Sequence, residues 1–396
     1  ELMEVLLQAG VDVDDDYSME LTPLMLAASA GADKIVKMLL WHGASVNHLS
    51  HEGPCFDTAR LKRRTALMIA AEKGFVRIVE MLIEAGAALL QNNHEGENAF
   101  GIAIKHGHKA SLSDINMLRL VLDLGADINT RRSPSSFTAL MQAVVDGNVK
   151  IINMLLKYKA DMYAESNGST ALTLAGIKNN TEAVIALLEG GMDVNHVTET
   201  RLTGLWCALT AKNFAMTEAL IKFGANVNFA GSNGVTMLMH AIKHCTSNFS
   251  ELLIKHGAHV NAQDDNGDTT LFHALRHSIT REEKVSLLLQ HGADINHINL
   301  STKTPLMVAA RFCHANILKV LLTHKPNVNG QDINGDTALH VAVLCCDCQE
   351  KLSALVSHGA NLNMVNADYE SPLMIAVRNL DAKITKYLLS LGANLD

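Results

Sequence analysis

The sequence predicts an all-α solenoid of stacked helix-turn-helix units joined by short hairpin-like turn tips. Three observations predict it. A phrase of the form Thr-(Pro/Ala)-Leu-Met recurs along the whole 396-residue chain at a modal spacing of 33 residues. A glycine follows six of those phrases at a fixed distance of 21 residues. The chain is 48% hydrophobic but only 4% aromatic, which suits thin layers of Ala, Leu and Met helices better than one thick core.

The recurring phrases start at Thr22, Thr65, Asn98, Thr138, Thr170, Thr203, Thr236, Thr269, Thr304, Thr337 and Ser371. They divide the chain into eleven repeats, 15–47, 48–90, 91–130, 131–163, 164–195, 196–228, 229–261, 262–296, 297–329, 330–363 and 364–396. Residues 1–14 read as the second half of a further unit, so the chain is expected to be part of a longer protein. The whole of 1–396 is expected to form a single array, because one unit cannot bury its apolar face alone.

Each element of the unit has a local cause. The anchor Thr is a good helix start, since its hydroxyl accepts from an otherwise unpaired backbone N–H. Proline at Pro23, Pro305 and Pro372 suits the first helical position, where no N–H is needed. A short Ala- and Leu-rich helix follows. The second helix is amphipathic, as in DKIVKMLLW, where Ile35, Val36, Leu39 and Leu40 share a face. Gly43, Gly86, Gly191, Gly224, Gly257 and Gly392 then supply the left-handed helix end. Asn-Gly dipeptides at Asn233, Asn266 and Asn334 make the tight turn at the tip. Lys159 and Lys325 replace the helix-ending glycine, so weaker or altered helix ends are expected there, and Arg201 replaces a turn glycine. Two insertions, 48–64 and 105–116, are expected in surface loops.

This pattern resembles the ankyrin repeat family over essentially the whole chain. The resemblance implies a non-enzymatic scaffold or adaptor that binds protein partners on the concave face, made by the turn tips and the ends of the first helices. Fold alone does not name the partner.

Composition narrows the partner class. Net charge is −8 with six prolines and seven cysteines, and no apolar run approaches the ~20 residues of a membrane span. Nucleic acid is therefore not the first expectation, no membrane insertion is expected, and free cysteines point to the reducing cytoplasm or nucleus. A monomer without cofactor or metal is expected. Cys345, Cys346 and Cys348 look like a ligand cluster, but Cys245, Cys313 and Cys346 stand at one position of separate repeats, so the spacing disperses thiols along the array. Histidines before a glycine, at His42, His256, His291 and His358, suit helix C-terminal carbonyls. His340 resembles the family's structural ring bridging to a neighbouring turn. No nucleophile elbow, phosphate loop or paired-ligand helix is present.

Seven and eight residues after the anchors, cations recur on an otherwise acidic chain: Lys73, Lys105 with His106, Lys178, Lys243 with His244, Arg276 with His277, and Arg311 with Phe312. This ridge is the expected partner-binding surface, with an acidic or extended peptide segment as the partner. A nucleotide or oligonucleotide polyanion is the alternative ligand, and a passive spacer arm for a flanking catalytic domain is the third reading. Candidate modification sites are Ser133 and Ser135 in RRSPSS. The resemblance adds Asn129, Asn195 and Asn296, in phrases that look like asparagine hydroxylase substrates.

Overall fold

The computed structural model describes residues 10–15, 21–50, 63–106, 112–123, 125–131, 136–277, 281–345 and 348–395. Most of the 48–64 insertion, the 107–111 part of the second insertion, and Ser133 and Ser135 lie outside these residues. The chain divides into two compact units, Glu1–Gly204 and Leu205–Asp396.

Each unit is a stack of helix pairs. In the first, Pro23–Ala30, Ala66–Lys73, Ala99–His106, Ala139–Asp146 and Ala171–Ile177 pack in succession as one layer. Their partners, Asp33–Trp41, Val76–Glu84, Leu112–Asp123, Val149–Lys157 and Thr181–Glu189, form the second layer. In the second unit the first layer contains Met237–His244, Thr270–His277, Pro305–Phe312, Ala338–Val343 and Pro372–Arg378. The helix starts follow the sequence rule. Thr22, Thr65, Thr138, Thr170, Thr236, Thr304, Thr337 and Ser371 each accept from the backbone N–H three residues on. The residue two places after each anchor, Leu except for Phe100 in the third repeat, is buried, among them Leu24, Leu140, Leu271 and Leu339. Burying one such side chain is worth about 1.5–3 kcal/mol. Ile35, expected on the buried face, is exposed, whereas Ile78 and Ile151 at the same position of later repeats are buried.

Side chains register one repeat on the next. The amide oxygen of Asn47, Asn129, Asn228, Asn261, Asn296, Asn329 and Asn363 accepts a backbone N–H of the following repeat at 2.7–2.9 Å. Where the amide NH2 also bonds, as at Asn261 to Gly292, it reaches the helix-ending glycine's carbonyl. In the fourth repeat the phenol of Tyr163 replaces Asn and accepts from Asp193 N at 3.0 Å.

The first helices end in two ways. Nine residues after the anchor, Gly31, Gly74, Gly147, Asn179, Lys212 and Leu380 are all left-handed, at φ between 55° and 74°. Such a turn folds backbone N–H groups back over the last carbonyls. Cys245 and Cys313 hold the same position but are extended, at φ −106° and −108°. Carbonyls at the ends of these two helices are met from the next repeat by a buried lysine. Lys284 Nζ donates to Ile242 O and Cys245 O, both at 2.6 Å, and Lys351 Nζ donates to Ala310 O at 2.9 Å. Counted back eight residues from the glycine that ends the second helix, these lysines stand where other repeats have Ile78, Met216, Phe249 or Ile384.

The three replaced glycines keep the glycine geometry. Lys159, Lys325 and Arg201 sit at φ 61°, 53° and 58°. Neighbouring contacts therefore impose the left-handed turn on a side chain that disfavours it by about 1–2 kcal/mol. Changing Lys159 or Lys325 to Gly removes that strain but adds about 0.4–1 kcal/mol of unfolded-state freedom. The strain outweighs the entropy, so each change is expected to stabilise the protein by about 0.5–1 kcal/mol in urea unfolding, and a loss of stability would contradict the account.

Candidate functional site

The cations predicted from sequence occupy different electrostatic situations. Lys73 ends its helix exposed, while its neighbour Glu72 pairs with Arg64 from the turn tip. Lys178 follows its helix and is exposed. Lys243 and His244 end theirs and are exposed. Arg276 is half-buried, paired with Asp268 and set 5.8 Å over the Phe272 ring. Arg311 is exposed and lies 5.6 Å from the Phe312 ring centroid. Lys105 and His106 close the Ala99–His106 helix and His277 closes Thr270–His277, but their side chains lie outside the described residues.

A rule separates the groups. The residue before the anchor faces the residue eight places later. Arg64 with Glu72, Asp268 with Arg276 and Glu370 with Arg378 are opposite charges and form ion pairs. Lys243 has Val235 in that place, Lys178 has Ser169 and Ile177 nearby, and Arg311 has Lys303. Lys303 turns away and pairs with Asp332 of the next tip. Among the described residues no acid pairs with Lys73, Lys178, Lys243 or Arg311. Several tip residues are thus committed to contacts within their own repeat: Arg64, Glu370 and the buried Glu97, whose backbone N–H donates to Asn93.

Tips in the second unit are also laced together. Asp265 N donates to Asn233 O, Leu300 N to Asn266 O and Ala367 N to Asn334 O, at 2.8–3.1 Å. Each of these bonds follows a left-handed glycine, at Gly234, Gly267 or Gly335. A Cβ on Gly335 would stand 2.8 Å from Ala367 N, so close approach of the next tip requires glycine. Between the ninth and tenth repeats Thr302 takes that place, and its hydroxyl accepts from Ile333 N at 2.6 Å instead.

Rings collect beside Lys243. Trp206 stacks on His240 with centroids 4.6 Å apart, and His240 on His244 at 4.8 Å. Burial, with the charges of His244 and Lys243, pushes His240 down to about 4. Burial first, then Lys243 and Lys212, also lowers His244. His340 is bridged as expected: Nδ1 meets Thr337 and Nε2 meets Glu370 O at 3.1 Å. His256 and His358 bond their last-turn carbonyls at 2.9 and 2.8 Å.

The thiols disperse. Cys245 Sγ reaches Leu209 O and Cys313 Sγ reaches Leu275 O, each at 3.3 Å in its own repeat junction. Cys345 Sγ reaches Ala310 O at 3.4 Å, and Cys346 lies outside the described residues. Burial raises Cys207 to about 11 and raises Cys245 as well, which makes both poor nucleophiles and ligands. Among the described residues no three His, Cys, Asp or Glu side chains converge on a metal position. Asn129 and Asn296 spend their amide oxygens on the next repeat, and Asn195 N–H donates to Asp193 at 2.9 Å.

A family model described as three copies of the ankyrin repeat matches 45–132, 108–198, 178–264, 205–299, 248–332, 282–366 and 325–396, and a single-repeat model matches 19–51. The chain belongs to the ankyrin repeat family. Curated relatives match over short stretches. The ankyrin repeat protein FPV031 of fowlpox virus (strain NVSL) is 36% identical over 28% of this chain and 34% of its own length. The B-cell lymphoma 3 protein homolog of Mus musculus is 36% identical over 24% of this chain and 21% of its own length. The E3 ubiquitin-protein ligase XBAT33 of Arabidopsis thaliana is 36% identical over 22% of this chain and 15% of its own length. The matched stretches thus span about a third or less of these relatives. Ankyrin repeats are generally protein–protein interaction modules. Among the described residues no helix is long and apolar enough to cross a membrane.

His240 gives the array an acid-sensitive point. Its folded pKa of about 4 lies below the ordinary 6.5, so the unfolded chain takes up the proton first. The stability it supports is complete above pH 6.5 and is lost as pH falls through about 4. In a Trp41→Phe background, urea unfolding followed by Trp206 fluorescence is expected to weaken over that window. His240→Gln is expected to flatten the slope, and an unchanged slope would reject the assignment.

Proposed function

We propose that this ankyrin array recognises acidic or extended segments of partner proteins on the face made by its turn tips and first-helix ends. It does so in each of its two units and carries out no chemistry of its own. It works as a monomeric scaffold or adaptor in the cytoplasm or nucleus. The observation that carries the reading is the set of exposed cations without a described acid partner: Lys73 and Lys178 in the first unit, Lys243 and Arg311 in the second. They stand on a chain of net charge −8, so the local potential of this face opposes that of the whole molecule. Elsewhere the same fold column is neutralised internally, at Arg276 and Arg378. Unneutralised cations at a solvated surface steer an anionic partner.

A second reading has one observation in its favour. The match to a plant ubiquitin ligase suits an arm that presents partners to a catalytic activity carried elsewhere. It uses the same face and differs only in what the array is attached to.

The test is affinity capture from cell lysate with the parent and with a variant carrying Lys73→Glu, Lys178→Glu, Lys243→Glu and Arg311→Glu, each shown folded by circular dichroism. Proteins held by the parent are expected to be lost by the variant, and to elute from the parent as ionic strength rises above ~0.15 M. An identical set of captured proteins would reject the cationic face as the recognition surface.

A further inference from the structure

The junction between the ninth and tenth repeats differs from its neighbours. An open groove of about 560 Å³ lies there, lined by Lys303, Arg311, Phe312, Asp336, Leu344 and Lys351 among others. The tips on either side are joined by backbone bonds across glycines, whereas here Thr302 holds Ile333 N by its hydroxyl.

Charge in the groove is unbalanced. Three cations line it against one acid, Asp336, whose Oδ1 already accepts from Asn366 at 3.0 Å. Lys303 is matched by Asp332 beneath it. Lys351 is buried and spends one bond on Ala310 O. Arg311 alone of the three is exposed without a described acid. Apolar surface flanks it on both sides. Phe312 is 50% and Leu344 57% exposed at the helix ends, and Leu300 and Ile333 are each 77% exposed on the tips. Leu300 and Ile333 stand at one position of successive repeats, four residues before the anchor. Exposed apolar residues beside an unmatched cation are a surface for a partner and not for a free polyanion.

We propose that this groove holds an extended segment of a partner protein in which an acidic residue is flanked by bulky apolar ones. The carboxylate meets the Arg311 guanidinium, with Lys303 beside it. The apolar neighbours cover Phe312 and Leu344 on one side and Leu300 and Ile333 on the other. The proposal rests on the reading that this face is the recognition surface, and narrows it to one junction and one chemistry.

A phage-displayed random library of about 12 residues, long enough when extended to cross two repeats, tests it on the full chain. Selected peptides are expected to place Asp or Glu beside Leu, Ile or Phe. Synthetic copies are expected to bind about tenfold more weakly to Arg311→Glu, and also to Phe312→Ala with Leu344→Ala, while Lys255→Glu, at an exposed second-helix position, leaves binding unchanged. Selected peptides that are basic or lack apolar residues, binding that survives both groove variants, or equal competition by an oligothymidylate would each overturn the proposal. A Lys243→Glu loss as large as that of Arg311→Glu would also overturn it, while leaving the broader cationic-face reading intact.

Discussion

A carboxamide at one position, seen in seven repeats, holds neighbouring repeats in register. The oxygen of Asn47, Asn129, Asn228, Asn261, Asn296, Asn329 or Asn363 takes a backbone N–H of the repeat that follows. Hydrophobic burial between helices is non-directional and would tolerate sliding. A short bond from a fixed side chain to a fixed amide does not. It sets how far each helix pair stands from the next, and so which tip residues and helix-end residues become neighbours. The Asp268–Arg276 and Glu370–Arg378 pairs are made within a repeat, but the Lys303–Asp332 pair and the Asn366–Asp336 bond need the correct distance between repeats. The groove lined by Lys303, Arg311 and Lys351 likewise lies between two neighbouring repeats.

Helix ends are the second constraint. The last carbonyls of every first helix must be met, and most repeats do so with a left-handed residue. Cys245 and Cys313 give up that turn, and Lys284 and Lys351 reach across from the following repeat to meet the carbonyls. A buried ammonium is costly, and burial does lower the pKa of Lys284. Two hydrogen bonds to helix-terminal carbonyls, at the negative end of the dipole, offset that cost. The exchange is a paired one across a repeat boundary: an extended Cys in one repeat goes with a Lys in the core column of the next.

Much of this fold was legible in the sequence. The anchor threonines, the prolines after them and the glycines 21 residues on gave the helix starts and ends where the structure has them. Lys159 and Lys325 misled in one respect, because a missing glycine suggested altered helix ends where the backbone keeps the same left-handed turn. The binding face was harder to read. Arg276 and Arg311 look equivalent at their shared position, and only the residue eight places earlier tells them apart, Asp268 in one case and Lys303 in the other. That spacing was available in the sequence as the charge-reversed pair Arg64 and Glu72, and Lys284 and Lys351 were visible as lysines in an apolar column. The groove was not visible, since it depends on distances between repeats that no periodicity encodes.

The claim that repeats are held by bonds to their immediate neighbours is tested most directly by hydrogen–deuterium exchange of Asn261→Ala beside the parent. Asn261 bonds Asp294 N at 2.8 Å and Gly292 O at 2.9 Å, linking the seventh repeat to the eighth. Loss of two such bonds is worth about 1–3 kcal/mol. The account predicts faster exchange in the seventh and eighth repeats, with the first five unchanged. Faster exchange spread evenly along the chain, or none at that junction, would contradict it.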